Sequence, residues 1–214
     1  YEYNGSEDID SISIDNPVYI DFNGFEINGN NVFTGFTVNA NDVTFENANF
    51  KNMNCTILWY GDNGNISNMH ADNSGYSLWY GANGIIENSI FSNTQLTTSN
   101  SFFIVYGVNF EIKNTKIINC SCYRSSYGRF FEFNVLAANF KVTDCTFDNS
   151  YPAKSREGFD GVLISNGHGD VQNCKFININ SDSNNEKMSI IALIDSTVTG
   201  CVFENITSKY IGYS

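Results

Sequence analysis

The chain contains few of the residues on which several common classes of protein depend. It has two prolines, two histidines and three arginines in 214 residues, and only 16% of its residues are charged. Eleven basic residues stand against 23 acidic ones, which gives a formal net charge of −12. Because so acidic a chain repels phosphates, no nucleic-acid partner is expected. No run approaches the roughly 18 apolar residues of a membrane span, so the chain is not expected to cross a membrane.

The sequence also lacks the usual patterns of metal-binding and catalytic sites. Its six cysteines include no Cys-x-x-Cys pair of the zinc-binding kind. The Gly-Gly-x-Gly-x-Asp phrase of calcium-binding repeats is missing. The two histidines, His70 and His168, are almost a hundred residues apart. We therefore predict no catalytic residue, no metal site and no cofactor.

Asparagine, in contrast, is abundant and recurs in register. There are 33 asparagines, and one phrase, apolar-x-Asn-x-x-apolar-x-Asn, recurs seven times with small departures. Its last residue falls at Asn52, Asn73, Asn93, Asn119, Asn149, Asn178 and Asn205, with spacings of 21, 20, 26, 30, 29 and 27 residues. Self-similarity at such a period is typical of a stacked repeat architecture.

Each repeat is predicted to form short strands separated by bends. Residues 43–47 alternate between apolar and polar side chains, as a strand with one buried face does. Asn47 breaks the alternation, and asparagine tolerates the left-handed backbone conformation of a tight bend. Coils of 20 to 30 residues with two or three strands each predict an all-β right-handed parallel β-helix of about eight coils. We expect residues 1–214 to form one such domain, a fragment of a longer protein.

The repeat register predicts which side chains stack on one another. Columns of Phe, Val and Ile should fill the interior, and the asparagines should form ladders in which an amide bonds to the next carbonyl. Cys145, Cys174 and Cys201 fall in one column. Side chains in register lie about 4.8 Å apart, slightly too far for a disulfide, so we expect a ladder of free thiols.

The phrases at 21–30 and 41–52 (DFNGFEINGN and NDVTFENANFKN) carry a family resemblance. They resemble the adhesin-like surface proteins of methanogenic archaea, which contain pectin-lyase-like β-helix repeats. The resemblance covers nearly the whole chain. It implies an extracellular, cell-surface location and an adhesive role.

The same fold also serves polysaccharide lyases and hydrolases, so the fold alone does not decide between function classes. Those enzymes need carboxylates clustered in one column of adjacent coils. Asp148, Asp160 and Asp170 instead fall at three different positions of the repeat. An enzyme of this fold and a structural spacer in a surface protein remain alternatives to the adhesin.

Two features are candidates for ligand binding. The first is the repeated Leu-Trp-Tyr-Gly phrase at 58–61 and 78–81. Because side chains alternate along a strand, Trp59 and Trp79 either stack outside as a platform for sugar rings or lie in the core. Assigning Val105, Val135, Ile164 and Ile191 to the same column favours the core.

The second candidate is a set of insertions between the last asparagine and the next strand, at 94–101, 120–130, 150–160 and 179–188. Neighbouring loops on one edge of a solenoid commonly bind ligands. Two of the insertions contain all three arginines, together with a lysine and three tyrosines: Tyr123, Arg124, Tyr127, Arg129, Tyr151, Lys154 and Arg156. These side chains either recognise an anionic group or only hold the loops in place.

The leading prediction is a non-enzymatic cell-surface adhesin module that binds a host or partner-cell glycan or protein. Binding would use the loops and the tryptophans named above. A solenoid without a cap leaves an open edge, so further β-helix coils or a cap are expected beyond Ser214.

Overall fold

The computed structural model describes residues 11–96, 101–123, 129–134, 138–153, 160–165, 167–181 and 188–208. Within these ranges the chain forms strands and turns and no helix. Three parallel sheets of eight strands each are stacked coil upon coil. This architecture confirms the predicted parallel β-helix of about eight coils.

The strands are numbered in chain order, and each coil adds one strand to each sheet. The first sheet contains β1 (Ile12–Ile14), β4 (Phe36–Val38), β7 (Cys55–Trp59), β10 (Tyr76–Trp79), β14 (Phe103–Val105), β18 (Arg129–Phe133), β22 (Asp160–Ser165) and β26 (Met188–Ala192). The second contains β2 (Tyr19–Asp21), β5 (Thr44–Glu46), β8 (Asn65–Ser67), β11 (Ile85–Glu87), β15 (Glu111–Lys113), β19 (Phe140–Thr143), β23 (Gly169–Gln172) and β27 (Thr197–Thr199).

The third sheet contains β3 (Glu26–Asn28), β6 (Asn49–Lys51), β9 (His70–Asp72), β12 (Ile90–Ser92), β16 (Lys116–Ile118), β20 (Thr146–Asp148), β24 (Lys175–Ile177) and β28 (Val202–Glu204). Two small sheets complete the described strands: β13 (Gln95–Leu96), β17 (Ser121–Tyr123) and β21 (Tyr151–Ala153), and the pair β25 (Asn180–Ser181) and β29 (Thr207–Ser208).

The predicted apolar columns form the core. In the second sheet Phe45, Ile66 and Ile86 lie in one column and are fully buried. In the third sheet the rings of Phe147 and Phe176 stack 4.9 Å apart, with planes 3° apart. Stacking of identical side chains follows from the register, since each residue pairs with its counterpart one coil away.

The asparagines occupy the corners between sheets, as predicted from the sequence. At the corner between the second and third sheets, Asn47 has a φ of 54°, and Asn52 at the end of the third sheet has a φ of 51°. The corner between the first and second sheets has a further column that the repeat phrase did not reveal. There the amide of Asn83 donates to Asn63 Oδ1 at 3.0 Å and accepts from Asn109 Nδ2 at 2.9 Å. Each corner residue thus bends the chain and joins its coil to the next.

The six cysteines are free thiols, as predicted. Four of them take the place of the serine or threonine of other coils: Cys120, Cys145, Cys174 and Cys201. The column that contains Cys145 and Cys174 holds Ser89 and Thr115 in earlier coils. Ser89 Oγ donates to the carbonyl of Glu87 at 2.8 Å, and Cys145 Sγ makes the same kind of bond to Thr143 at 3.2 Å. Burial is the main cause that raises the pKa of Cys55 to about 12 and that of Cys120 to about 11. Such thiols stay protonated and unreactive near neutral pH.

The last described coil leaves its apolar column uncovered. Phe203 and Val198 continue the buried columns of the third and second sheets, yet they are 50% and 43% exposed. The preceding residues of these columns, Phe176 and Val171, are fully buried. The expectation of further coils or a cap remains a prediction.

Candidate binding surfaces

The predicted insertions lie along one edge of the β-helix, where each third-sheet strand leads to the next first-sheet strand. We call this the loop edge. In the early coils it is short: three residues separate β6 from β7, and three separate β9 from β10. From residue 95 onward the small sheet of β13, β17 and β21 is added there. The loop edge therefore changes abruptly in width between the coil of Asn73 and that of Gln95.

A groove of about 320 Å³ lies at this step. Its exposed rim includes the amide side chains of Asn54, Asn73 and Gln95. The partly exposed side chains of Tyr76 and Leu96 add apolar surface. A concave site that combines apolar surface with a few hydrogen-bonding groups is the usual form of a ligand site.

The groove keeps its shape because the short corners fit tightly together. Gly75 lines the groove, and its N–H donates to the carbonyl of Met53 at 2.8 Å. A Cβ atom on Gly75 would lie 1.8 Å from the carbonyl oxygen of Asn54, so only glycine allows this close approach. Burial, followed by interaction with Cys55, raises the pKa of Tyr76, and its hydroxyl remains protonated. The groove therefore presents a phenol and several amides on a fixed backbone.

The arginine-rich loops are only partly within the described residues. Arg124, Tyr127, Lys154 and Arg156 lie outside the described ranges. Tyr151 begins β21, is partly buried and packs against the core.

The backbones of the other two loop residues are placed by the small sheet and the first sheet. Tyr123 ends β17, and Arg129 begins β18 and pairs with Gly161. The register places Tyr123 opposite Ala153, two residues beyond Tyr151. The small sheet thus brings the 121–123 and 151–153 segments side by side at the loop edge.

The proposed tryptophan platform is wrong. Trp59 and Trp79 are 0% and 1% exposed, and their rings stack 4.3 Å apart inside the β-helix. Phe45 contacts one ring and Phe110 contacts the other, so the indoles fill the core between the first and second sheets. Strand alternation allows either the tryptophans or their neighbours to face inward, and here the interior accommodates the larger apolar side chains.

The composition of the tryptophan column also differs from the prediction in its later coils. Val105 follows Trp79 as expected, but the next members are Phe133 and Ser165. The register pairs Ile164 with Glu132 and Ile191 with Leu163, so both residues belong to other columns than the tryptophans. Val135 lies outside the described residues.

The tyrosines of the same phrases face outward instead. Tyr60 and Tyr80 are 47% and 40% exposed, and their rings stack 5.0 Å apart with planes 8° apart. Tyr106, one coil further, stacks on Tyr80 at 4.6 Å and 2°. We call Tyr60, Tyr80 and Tyr106 the tyrosine strip. The sequence signal for it is the Tyr-Gly pair that directly follows β7, β10 and β14. The prediction considered only the tryptophans of these phrases.

Three side chains of the kinds found in serine hydrolases meet on the outer face of the third sheet, but their bonding does not suit that reaction. Ser92 Oγ donates to Asp72 Oδ1 at 2.8 Å and lies 3.1 Å from His70 Nε2. In a catalytic triad the carboxylate bonds to the imidazole, and the imidazole takes the hydroxyl proton. Here the Ser92 hydroxyl donates its hydrogen bond to the carboxylate and not to the imidazole, and Ser92 is only 8% exposed. The group is a structural network.

In the part of the chain that the structure describes, no group of three or more His, Cys, Asp or Glu side chains is arranged to hold a metal ion. Nor do the described ranges contain a helix with the length and hydropathy of a membrane span. Comparison with protein-family models and with curated proteins finds no match to this chain. The groove and the tyrosine strip are thus the surface features on which a functional proposal can be based.

Proposed function

We propose that this chain is a non-enzymatic adhesin module of an archaeal cell-surface protein, and that it binds a glycan at the loop edge. The observation that carries the proposal is the groove of about 320 Å³ at the step in the loop edge. Sugars offer both hydroxyl groups and apolar C–H faces. The rim amides of Asn54, Asn73 and Gln95 suit the first, and the phenol ring of Tyr76 suits the second.

The three arginines are the basis of the selectivity that we expect of the loop edge. The chain has a net charge of −12, yet its three arginines fall within the neighbouring segments 120–130 and 150–160. The 121–123 and 151–153 strands run beside each other at the loop edge, so these segments begin next to one another. Arginine binds carboxylates in a bidentate manner. We therefore expect acidic sugars to bind more tightly than neutral ones.

A glycan array that includes whole cell-wall polymers tests the proposal. Polygalacturonate serves as the acidic probe in solution, and binding is followed by affinity electrophoresis. One variant combines Tyr76→Ala with Gln95→Ala, and a second replaces Arg124, Arg129 and Arg156 by Ala. Each should weaken binding at least ten-fold.

His70→Ala on the outer face of the third sheet is the control and should bind as the unmodified chain does. The proposal fails if no glycan binds, or if both sets of variants bind as tightly as the control. Release of shortened or unsaturated sugars from the polymer would instead indicate a lyase or hydrolase.

A further inference from the structure

The tyrosine strip differs from the rest of the outer surface. On the second sheet the outward residues include Glu87 and Lys113, which form an ion pair at 3.1 Å. On the third sheet they include His70 and Lys116. On the first sheet the part of the outward column beside the strip instead holds Leu58, Leu78 and the 9% exposed Ile104, between Thr37 and Glu132. The strip follows directly at the strand ends.

The exposure of the strip is not explained by the ends of the β-helix. Most of the exposed large apolar side chains lie in the first or last coils, as Phe25 and Phe203 do. Tyr60 and Tyr80 lie in the middle coils and are still 47% and 40% exposed. An exposed aromatic cluster away from the ends calls for a functional explanation, because a side chain that only stabilises coil stacking gains more when it is buried.

The hydroxyl groups of the strip are available to a ligand. In the part of the chain that the structure describes, Tyr60, Tyr80 and Tyr106 make ring contacts with one another, and their hydroxyls have no protein hydrogen-bond partner. Burial within the strip and the neighbouring tyrosines raise the pKa of Tyr80, so its hydroxyl remains a donor at any physiological pH.

The geometry indicates the shape of the ligand. Since the rings stack on one another, their faces are largely covered, and solvent meets the ring edges and the hydroxyls. Ring edges carry partial positive charge and attract oxygen atoms. The three rings span about 10 Å parallel to the long axis of the β-helix. This row is held rigid by its own stacking and contains no charged group.

We propose that the tyrosine strip is a second carbohydrate subsite, which binds the uncharged sugar units of a linear polysaccharide lying along the axis. A neutral polymer has hydroxyl oxygens for the ring edges and phenols, and C–H groups for the leucines beside them. Tyr76 of the groove begins β10 and Tyr80 of the strip directly follows it, so the two residues lie four positions and about 13 Å apart across the first sheet. The inference rests on the proposed glycan-binding function and adds a site to it.

Affinity electrophoresis in gels that contain hydroxyethylcellulose or galactomannan, both neutral, tests the subsite. Replacing Tyr60, Tyr80 and Tyr106 together by Ala should weaken retardation at least ten-fold. Phe25→Ala, which removes a 72% exposed ring from the first coil, is the matched control and should change nothing. The groove variant Tyr76→Ala with Gln95→Ala should keep most of its affinity for the neutral polymers.

Two further measurements keep the test decisive if the triple alanine variant fails to fold. The triple Tyr→Phe variant preserves ring stacking and removes only the hydroxyls, so it should fold and bind several-fold more weakly. In the unmodified chain, bound galactomannan should protect Tyr60 and Tyr80 from nitration by tetranitromethane, as read by mass spectrometry.

The outcomes separate this inference from the proposed function. Retardation of the strip variants equal to that of the unmodified chain would overturn the subsite, as would nitration that the polymer does not slow. Binding of polygalacturonate alone, lost with the loop arginines, would overturn the subsite and leave the proposed function standing. No retardation in any gel, acidic or neutral, would overturn both. Binding to cells that neither kind of polymer competes for would point to a protein partner and overturn both.

Discussion

Replacing the two stacked tryptophans one at a time by phenylalanine should have unequal effects on stability. Trp59 and Trp79 occupy equivalent places in successive coils, and a glycine sits against each indole nitrogen. A Cβ atom on Gly64 or on Gly84 would lie 2.4 Å from the Nε1 atom beside it. The indole N–H of Trp79 donates to the carbonyl of Gly81 at 3.0 Å. The buried N–H of Trp59 has no acceptor within hydrogen-bonding distance among the described residues.

The size of the difference in stability between the two variants follows from whether the indole N–H has a hydrogen-bond acceptor. Both substitutions remove similar apolar volume from the core, which costs less than the roughly 3–5 kcal/mol of a large-to-alanine change. Trp79→Phe also loses a hydrogen bond, worth about 1 kcal/mol. Trp59→Phe removes an unsatisfied buried donor and thereby recovers roughly 1–3 kcal/mol. We therefore expect Trp79→Phe to lower the free energy of unfolding by about 2–4 kcal/mol more than Trp59→Phe does.

Urea unfolding at 25 °C, followed by far-ultraviolet circular dichroism, measures the difference. The slope of free energy against urea concentration should be the same for both variants, which makes their midpoints comparable. The double variant is needed as well, because stacked residues couple and single effects need not add. If the two single variants unfold at the same midpoint, or Trp59→Phe at the lower one, the hydrogen-bond reasoning is wrong.

Three further predictions concern the corners and the thiols. In thermal unfolding, Asn83→Ala should destabilise the protein by about 1–2 kcal/mol more than Asn83→Gly, because the left-handed backbone conformation is strained for alanine and not for glycine. Equal melting temperatures of the two variants would contradict this. Gly75→Ala should prevent or severely weaken folding, since its Cβ would lie 1.8 Å from a backbone oxygen. The control is Gly24→Ala, whose Cβ would meet nothing within 4 Å, so in urea unfolding it should show only the strain of its φ of 73°. Because of Cys55 and Cys120, the free energy of unfolding should fall as the pH rises above about 9. Above that pH these thiols ionise in the unfolded chain, whereas in the folded protein their pKa values are about 12 and about 11. Each thiol lowers the free energy of unfolding by at most about 1.4 kcal/mol per pH unit. In a chain with both cysteines changed to Ser, the urea midpoint should therefore change less between pH 9 and pH 11.

Much of the fold was readable from the sequence because its determinants are local and repeated. An asparagine at a bend satisfies a backbone requirement that hardly depends on distant residues, and Asn52 and its counterparts recur in seven coils for that reason. The free thiols were predictable from register alone, since Cys145 and Cys174 fall at equivalent places in adjacent coils.

The candidate site was less predictable, because it depends on choices that alternation leaves open. The Leu-Trp-Tyr phrase allows either the tryptophan or its neighbours to face inward. Only the contacts of the indoles with Phe45 and Phe110 decided that Trp59 and Trp79 belong to the core and Tyr60 to the surface.

The sequence by itself determined the repeat, the corners, the apolar columns and the stacked coils. The tertiary structure decided which aromatic side chains of the Leu-Trp-Tyr phrases face outward, and where the groove lies. The groove combines Asn54, Tyr76 and Gln95, which come from three successive coils. The physical reason is that strand and bend propensities are properties of a few neighbouring residues, whereas a concave surface depends on how residues some 20 apart in sequence are stacked.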